Sequence, residues 1–466
     1  MGVAMARAMN ERDFAITVVR HLRDAGYEAL WAGGCVRDQL LGLEPTDFDV
    51  ATGARPEQVQ QLFRRTIAVG ASFGVVEVLG PRDEQGQYCK VQVATFRSDV
   101  SYSDGRHPDA VEFSSAREDA LRRDFTINGM FYDPLENKLI DYVGGQADLR
   151  ARLLRAIGVP ARRFEEDKLR MLRAVRFATK FDLDIEPATE AAIRAMAGQI
   201  AVVSAERVAE ELRKLLVHPR RARGMRVFTE LGLAAVLMPE LLPMKGLPQG
   251  LPVDPHALPA PGESGHPTVS DLWEHVLRVL ELLGPQPSFP LALAALLHDV
   301  GKPRTVGRTP DRYTFHSHEH VGRRLASEIC LRLKLSNEER ERVEFLVEKH
   351  QVLCNARQMR TSKLKTLLIH PGIHELLALH RADALASNRS MAHVEYCELV
   401  LRQWTAEDLN PPPLLTGHDL TRMGLEPGPL YKRLLDAVRE AQLDGTIKNA
   451  REARELVDQL VRQTQH

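Results

Sequence analysis

The sequence predicts an α/β head followed by a long all-α body, and three observations carry that prediction. Residues up to 154 mix strand-like runs with helices and turn signals. From 155 onward the apolar spacing becomes helical, broken by two proline-rich stretches. At 466 residues the chain is too long for one ordinary core. The expected division is a head at 1–154, a helical neck and body at 155–244 and a Pro/Gly-rich linker at 245–268. A second helical domain at 269–405 and a helical tail at 406–466 complete it.

Within the head, "PEQVQQLFRR" (56–65) reads as a helix opened by proline, whereas "ASFGVVEVLG" (71–80) and "YCKVQVATFR" (88–97) read as strands. In the body, "SAERVAEELRKLLVHP" (204–219) has helical spacing, a serine start and a proline stop. The stretch "KGLPQGLPVDPHALPAPGESGHPT" (245–268) marks the first break and "LNPPPLLTGHDL" (409–420) the second. No internal repeat appears.

Composition narrows the function classes. No run approaches the roughly 18 consecutive apolar residues of a membrane span, and the N-terminus lacks a signal-peptide core. A membrane partner is therefore not expected. The formal net charge is -1, so any polyanion site must be a local patch. Cys35, Cys89, Cys330, Cys354 and Cys397 are odd in number and scattered without a CxxC pair, which fits a reducing, cytoplasmic setting rather than a disulfide framework or zinc knuckle.

The chemistry-bearing motifs begin with "GGCVRDQLLGLEPTDFDV" (33–50). Residues two apart in a strand share a face, so Asp47 and Asp49 can present paired carboxylates, and Mg²⁺ selects such hard oxygen ligands. Gly33 and Gly34 permit a turn whose N–H groups face an anion beside a helix start near Val36, and Arg37 adds a fixed charge for a triphosphate. Downstream, "LRRDFTINGM" (121–130) groups Arg122, Arg123, Asp124 and Asn128 as phosphate and ribose contacts. "DYVGG" (141–145) reads either as a hinge or as a turn capped by Asp141.

"EEDKLRMLRAVRF" (165–177) sets Glu166 and Asp167 ahead of Arg170, Arg173 and Arg176. A carboxylate accepts from an exocyclic amine and a guanidinium donates to a ring nitrogen. One Asp–Arg fork therefore suits the Watson–Crick edges of both cytosine and adenine while mismatching guanine and uracil. Asp167 and Arg170, one helical turn apart, are expected to share a face and form that fork. Arg173 and Arg176 would carry the charge towards the phosphates or the RNA end.

Together, "GGCVRDQLLG…TDFDVAT", "LRRDFTINGM", "DYVGGQADL" and "FEEDKLRMLRAVRF" resemble the ordered motifs of class II tRNA nucleotidyltransferases. That family includes CCA-adding enzymes and bacterial poly(A) polymerases. The resemblance covers residues 25–240 and implies a polymerase-β-like head with a mixed sheet and helices. By it, Asp47 and Asp49 are catalytic and hold Mg²⁺. Gly33, Gly34, Arg37, Arg123, Asp124, Asp167, Arg170, Arg173 and Arg176 bind the nucleotide, and the protein itself acts as the template. "FRSDVSYSDGRHPDAVEF" (96–113) is similar to the family's flexible loop, with Arg97, Asp104 and Arg106 as the matching residues and the switch to ATP as the implied role. One departure stands out: superfamily members often carry a third carboxylate on a neighbouring strand, where "KVQVATF" has Gln92.

The second helical domain holds His275, then "LLHDVGKP" with His298 and Asp299, then Asp383 in "RADALA". Imidazole and carboxylate ligands from separate helices suit a divalent transition metal. The pattern resembles the HD phosphohydrolase domain, whose metal ligands match His275, His298, Asp299 and Asp383. His318 and His350 match the extra histidines of two-metal members; His316 and His320 compete with His318, and the FxxHxxxG spacing favours the latter. The resemblance implies phosphatase or 2′,3′-cyclic phosphodiesterase activity.

Two further segments bear on RNA. "HPRRARGMR" (218–226) is a candidate for the tRNA backbone, and "GLEPGP" (424–429) with Lys432 and Arg433 reads either as a phosphate seat or as an ordinary helix cap. The function expected is addition of CCA to the tRNA 3′ end from CTP and ATP. The alternatives are addition of the final A alone, polyadenylation, or an RNA-binding HD phosphohydrolase.

Overall fold

The structure, a computed structural model, describes residues 10–70, 74–82, 86–99, 111–249, 270–309 and 312–464. Asp104 and Arg106 of the expected flexible loop lie outside these residues. The chain divides into two compact units, Met1–Leu215 with Arg223–Pro239 and Leu216–Ala222 with Glu240–His466.

The first unit is built on a seven-stranded mixed sheet. Its strands are β1 (Ala29–Ala32), β2 (Asp49–Thr52), β3 (Thr66–Gly70), β4 (Val75–Arg82) and β5 (Tyr88–Thr95), with β8 (Phe131–Asp133) and β9 (Lys138–Ile140). The order is β3-β4-β5-β2-β1-β8-β9, which puts β2 near the middle. There Asp49 stands opposite Ala32 on antiparallel β1 and beside Gln92 on parallel β5. Two short strands, β6 (Arg97–Asp99) and β7 (Val111–Phe113), pair outside the main sheet and place Arg97 at the base of the expected loop.

In β5, Cys89, Val91, Val93 and Thr95 are buried while Lys90 and Gln92 are exposed, the period-two alternation of a strand with one covered face. Trp31 of β1 is fully buried and packs on Phe48 at 4.8 Å and Tyr132 at 5.7 Å between ring centres. Phe48 buried between exposed Asp47 and half-buried Asp49 holds both carboxylates on the opposite side.

Helices α1 (Glu11–Asp24), α2 (Gly34–Leu40), α3 (Pro56–Leu62), α4 (Ala116–Leu121) and α5 (Gly145–Arg150) follow local rules. Pro56 stands in the first turn of α3, and Ser115 with Glu118 forms a capping box on α4. Asp141 caps α5. Its Oδ1 accepts the N–H groups of Val143, Gly144 and Gly145 at 2.9–3.1 Å, and its Oδ2 accepts Gln146 at 2.9 Å. This satisfies the orphan donors of the helix start, so the cap reading of "DYVGG" holds and the hinge reading is set aside.

Helices α6 (Pro160–Glu166) and α7 (Leu169–Phe181) meet at a break, and here the expectation of one continuous helix is corrected. Asp167 is extended (φ -148°, ψ 105°), and its Oδ1 accepts the Leu169 N–H at 3.1 Å. Aspartate competes for backbone donors in this way, ending one helix and starting the next. α7 buries Leu169, Met171, Leu172, Ala174, Val175 and Phe177, leaving Arg170, Arg173 and Arg176 on its polar side.

In the second unit, the helices Leu272–Leu282, Phe289–Leu297, His318–Arg332, Asn337–Lys349 and Ile373–Ala386 carry the histidine-rich site. Arg221 is 1% exposed and donates to the carbonyls of Leu216, Leu280 and Gly284. That corrects part of the "HPRRARGMR" reading: Arg221 ties backbone segments together and faces no RNA. The tail has its own small core of Leu415, Leu420, Leu434, Val438, Ala453 and Val457. Pro429 opens its helix Pro429–Leu443. Among the described residues, no helix is long and apolar enough to cross a membrane.

Candidate active sites in the two units

A polar cavity of about 690 Å³ in the first unit gathers most of the head's predicted residues. Asp47 and Asp49, Gly33, Gly34 and Arg37, Arg123 and Asp124, and Asp167, Arg170, Arg173 and Arg176 all line it. Gly33 takes a positive φ of 71° ahead of α2, and a Cβ there would sit 3.1 Å from Arg123 Nη1. Glycine is needed on both counts.

Most of the arginines are held in place by acids behind them. Arg37 is buried, donates to Asn128 Oδ1 at 2.6 Å and lies over the Phe181 ring at 4.1 Å. Arg123 donates Nη2 and Nε to Asp119 at 2.9 and 3.1 Å. Arg173 grips Asp124 with Nη2 at 2.7 Å and Nε at 3.0 Å, and Asn128 donates to the other Asp124 oxygen at 3.0 Å. Burial alone would raise the Asp124 carboxyl, but Arg173, Asn128 and Arg170 override it and hold it at about 2. Arg176 is paired with Glu211.

Asp167 and Arg170 share the cavity without bonding to each other, which corrects the expected preformed fork. Asp167 Oδ2 accepts from Arg207 at 2.7 Å, and Arg170 Nη1 donates to Glu166 Oε2 at 2.6 Å. Asp167 is extended at the helix break, yet its carbonyl accepts the Arg170 N–H at 3.0 Å, so the two residues remain one turn apart while their side chains are engaged elsewhere. Arg207, Lys180 and Phe177 also line the cavity and were not singled out from sequence. Arg207 belongs to the helix Ala205–Leu216, whose amphipathic pattern gave no sign that its cation reaches Asp167.

Burial, and then Asp47 beside it, push Asp49 up to about 6 against the pull of Arg123. Two carboxylates that repel one another, on a surface otherwise rich in arginine, fit Mg²⁺ as the compensating charge. Gln92, the neighbour of Asp49 in register, offers an amide where a third acid would stand. Arg97 does not line this cavity; its carbonyl accepts Arg122 Nε at 3.0 Å.

The second unit brings all six predicted histidines and acids together. His275, His298 and Asp383 form one group, and Asp299, His318 and His350 another, each with ligand atoms within 4.8 Å. His298, His318 and His350 turn Nδ1 to the carbonyls of Ala295, Phe315 and Val347 at 2.7–2.8 Å. Those contacts fix the ring orientations and turn each Nε2 into the site. Yet His275 Nε2 and His298 Nε2 are 3.3 Å apart, and His318 Nε2 and His350 Nε2 are 3.4 Å apart. Ring nitrogens brought this close together suit a cation held between them.

Asp299 lies between the groups. Its Oδ2 is 3.2 Å from His298 Nε2, and its Oδ1 is 3.3 Å from His318 Nε2 and 3.5 Å from His350 Nε2. Oδ1 is buried with no hydrogen-bond partner. This donor set would suit divalent transition ions, with Asp299 placed to serve either group. Burial would raise Asp299 and Asp383, but the groups packed around them hold both well below the usual carboxylate range. Lys302 and His298 act on Asp299; His275, His298 and Arg389 act on Asp383. Gly301 fixes the approach of the His298–Asp299 turn, since a Cβ there would lie 2.1 Å from the His318 carbonyl. His320 is largely exposed and pairs with Glu348, so His318 is the histidine that enters the site.

Comparisons with known proteins agree with this division. Residues 29–155 match the family described as "Poly A polymerase head domain", 182–245 "Probable RNA and SrmB- binding site of polymerase A", and 272–388 "HD domain". An A-adding tRNA nucleotidyltransferase of Deinococcus radiodurans is 34% identical over 94% of this chain and 96% of its own. A CCA-adding enzyme of Latilactobacillus sakei is 41% identical over 47% of this chain and 54% of its own. Poly(A) polymerase I of Haemophilus influenzae is 39% identical over 50% of this chain and 53% of its own. Among solved structures, the CCA-adding enzyme of Bacillus stearothermophilus in complex with CTP aligns at TM-score 0.68 and 25% identity, covering 98% of this chain and 99% of the other. A head with paired aspartates and an arginine-lined cavity, followed by two converging groups of histidines and aspartates, thus has a relative along nearly its whole length, and the chain belongs to the class II tRNA nucleotidyltransferase family, the family of CCA-adding enzymes and bacterial poly(A) polymerases, with an HD domain attached.

Proposed function

We propose that this protein extends the 3′ end of tRNA with C and A drawn from CTP and ATP, without a nucleic-acid template. The observation that carries the reading is one cavity in which Asp47 and Asp49 face Arg123, Asp167 and Arg170. Mg²⁺, held by Asp47 and Asp49, would activate the terminal 3′-hydroxyl and neutralise the departing pyrophosphate. Arg37, Arg123 and Arg173 are seated on acids and rings before the nucleotide arrives, so little reorganisation remains when the triphosphate binds. Asp167 and Arg170 read the base edge after exchanging their present partners, Arg207 and Glu166. Asp167 is held through one oxygen by Arg207, and Arg170 by Glu166 and the carbonyls of Arg163 and Arg122, contacts that a ligand offering better-matched donors and acceptors would replace.

A second reading, addition of the terminal A alone, is favoured by the nearly full-length relative from D. radiodurans, named for that activity. For the second unit we propose metal-dependent phosphohydrolysis, as phosphatase or 2′,3′-cyclic phosphodiesterase, with His275, His298, Asp299, Asp383, His318 and His350 as ligands. The test is extension of tRNAs ending before the first C, after the second C, and complete, with CTP and ATP singly and together. Full CCA on the shortest substrate supports the first reading, and extension of only the CC-ended tRNA supports the second. A long A-tail on unrelated RNA, or no extension, overturns both.

A further inference from the structure

A third group of metal-ligand side chains neighbours the HD site, since Asp383 lines the same cavity, but it shares no residue with either metal-ligand group described above. Cys354, His380 and His393 bring a thiol and two imidazoles within 4.8 Å of one another. Cys354 is exposed, whereas the other four cysteines are buried. His380 is 2% exposed and its Nε2–H donates to the Lys349 carbonyl at 3.2 Å, leaving Nδ1 as the lone-pair nitrogen. His393 Nε2 is buried with no hydrogen-bond partner, an arrangement costly for a ring nitrogen unless something accepts or coordinates there. The three side chains border a cavity of about 330 Å³ that also meets Arg357 and Arg389.

We propose that Cys354, His380 and His393 form a site for a thiophilic divalent transition ion of the Zn²⁺ type, with its fourth position open to the cavity. Soft sulfur and borderline imidazole nitrogen select such an ion over Mg²⁺ or Ca²⁺. Tetrahedral Zn²⁺ places its ligand atoms about 3.5 Å apart. With all three ligand atoms within 4.8 Å of one another, modest side-chain rotations, of the exposed Cys354 above all, would bring them to that spacing. Thiolate is the ligating form of cysteine, so the ion would bind with release of the thiol proton to solvent. Arg389 does not repel the ion as a bare charge, because it is bonded to Asp383 Oδ2 at 2.7 Å. Arg357 is likewise occupied over the Tyr396 ring. Water or a small anion would complete the coordination.

His380 and Asp383 stand one turn apart on the helix Ile373–Ala386. The ion proposed here would therefore fix the same helix that supplies an HD ligand. Six ligands of the HD pair and three of this site are distinct residues, and they can be separated by substitution.

The test uses the full chain, stripped by chelator and titrated with Co²⁺ as a spectroscopic probe. The expected result is a thiolate-to-cobalt charge-transfer band in the near ultraviolet. The band should survive in His298→Ala, vanish in Cys354→Ser, and need at least about 10-fold more cobalt in His393→Ala. Far-ultraviolet circular dichroism confirms that each variant is folded. No band in the wild type, or a band that persists in folded Cys354→Ser, overturns the proposal. So does a band lost in folded His298→Ala, which would assign the signal to the HD pair.

Discussion

Replacing Asp124 by asparagine should destabilise the head by about 2.5 kcal/mol at neutral pH, and the loss should fade in acid. Asp124 is 9% exposed, and its carboxylate is held by Arg173 and Asn128. Each pKa unit is worth about 1.36 kcal/mol, so a displacement from 3.8 to about 2 amounts to about 2.5 kcal/mol. A carboxyl with a depressed folded pKa contributes stability that is fully present above its unfolded pKa and disappears as pH falls through the folded one. The window therefore runs from about pH 5 down to pH 2, with about half the contribution gone by pH 3. Trp31 supplies the readout. It is fully buried in the head sheet, and of the three tryptophans in the chain only it belongs to the first unit. In a Trp273→Phe, Trp404→Phe background, urea unfolding followed by its fluorescence reports the head alone, which matters because a chain of two units does not unfold as one. If Asp124→Asn is as stable as the parent at pH 7, or if their gap does not narrow between pH 5 and pH 3, the ion pair is not what holds this part of the cavity.

The remaining predictions concern activity. Asp47→Ala should abolish nucleotide incorporation and leave phosphodiester hydrolysis intact, and His298→Ala should do the reverse; loss of both activities in either folded variant would contradict two independent sites. Arg170→Ala should relax discrimination against UTP and GTP by about 10-fold to 100-fold while changing ATP binding less, in line with one lost bidentate contact; unchanged selectivity removes the reading role from this residue. Chelation should lower the thermal midpoint of the second unit, followed by Trp273 in a Trp31→Phe, Trp404→Phe background, because removing ions leaves six convergent ligands uncompensated. A midpoint indifferent to chelator and to added Mn²⁺ would argue against metal binding there.

Much of this was legible in the sequence because it depends on local chemistry. The proline at 56 opens a helix wherever the chain puts it, and alternation in "YCKVQVAT" marks a strand with one wet face. The residues proposed as HD ligands were legible because they stand in short motifs of unusual composition, even though they come from separate helices. The base-reading pair was only half legible. Asp167 and Arg170 do share the cavity and stand one turn apart, yet Asp167 ends α6 by capturing the Leu169 N–H and gives its other oxygen to Arg207. Three-residue spacing in "DKLR" cannot distinguish a continuous turn from that capture. Arg207 was invisible for a different reason: its approach to Asp167 spans 40 residues of chain and rests on tertiary packing. Cys354, His380 and His393 escaped notice likewise, since a search for CxxC pairs does not find ligands assembled from a turn and two helices.

The central claim is that Asp167 and Arg170 read the base while Asp47 and Asp49 hold the metal beside its phosphates. A crystal structure of the protein with Mg²⁺ and a non-hydrolysable CTP analogue tests it most directly. The account predicts Arg207 released from Asp167, the cytosine amine on Asp167, its ring nitrogen on Arg170, and the triphosphate at Asp47 and Asp49. A bound base that touches neither residue, with both original ion pairs intact, would contradict it.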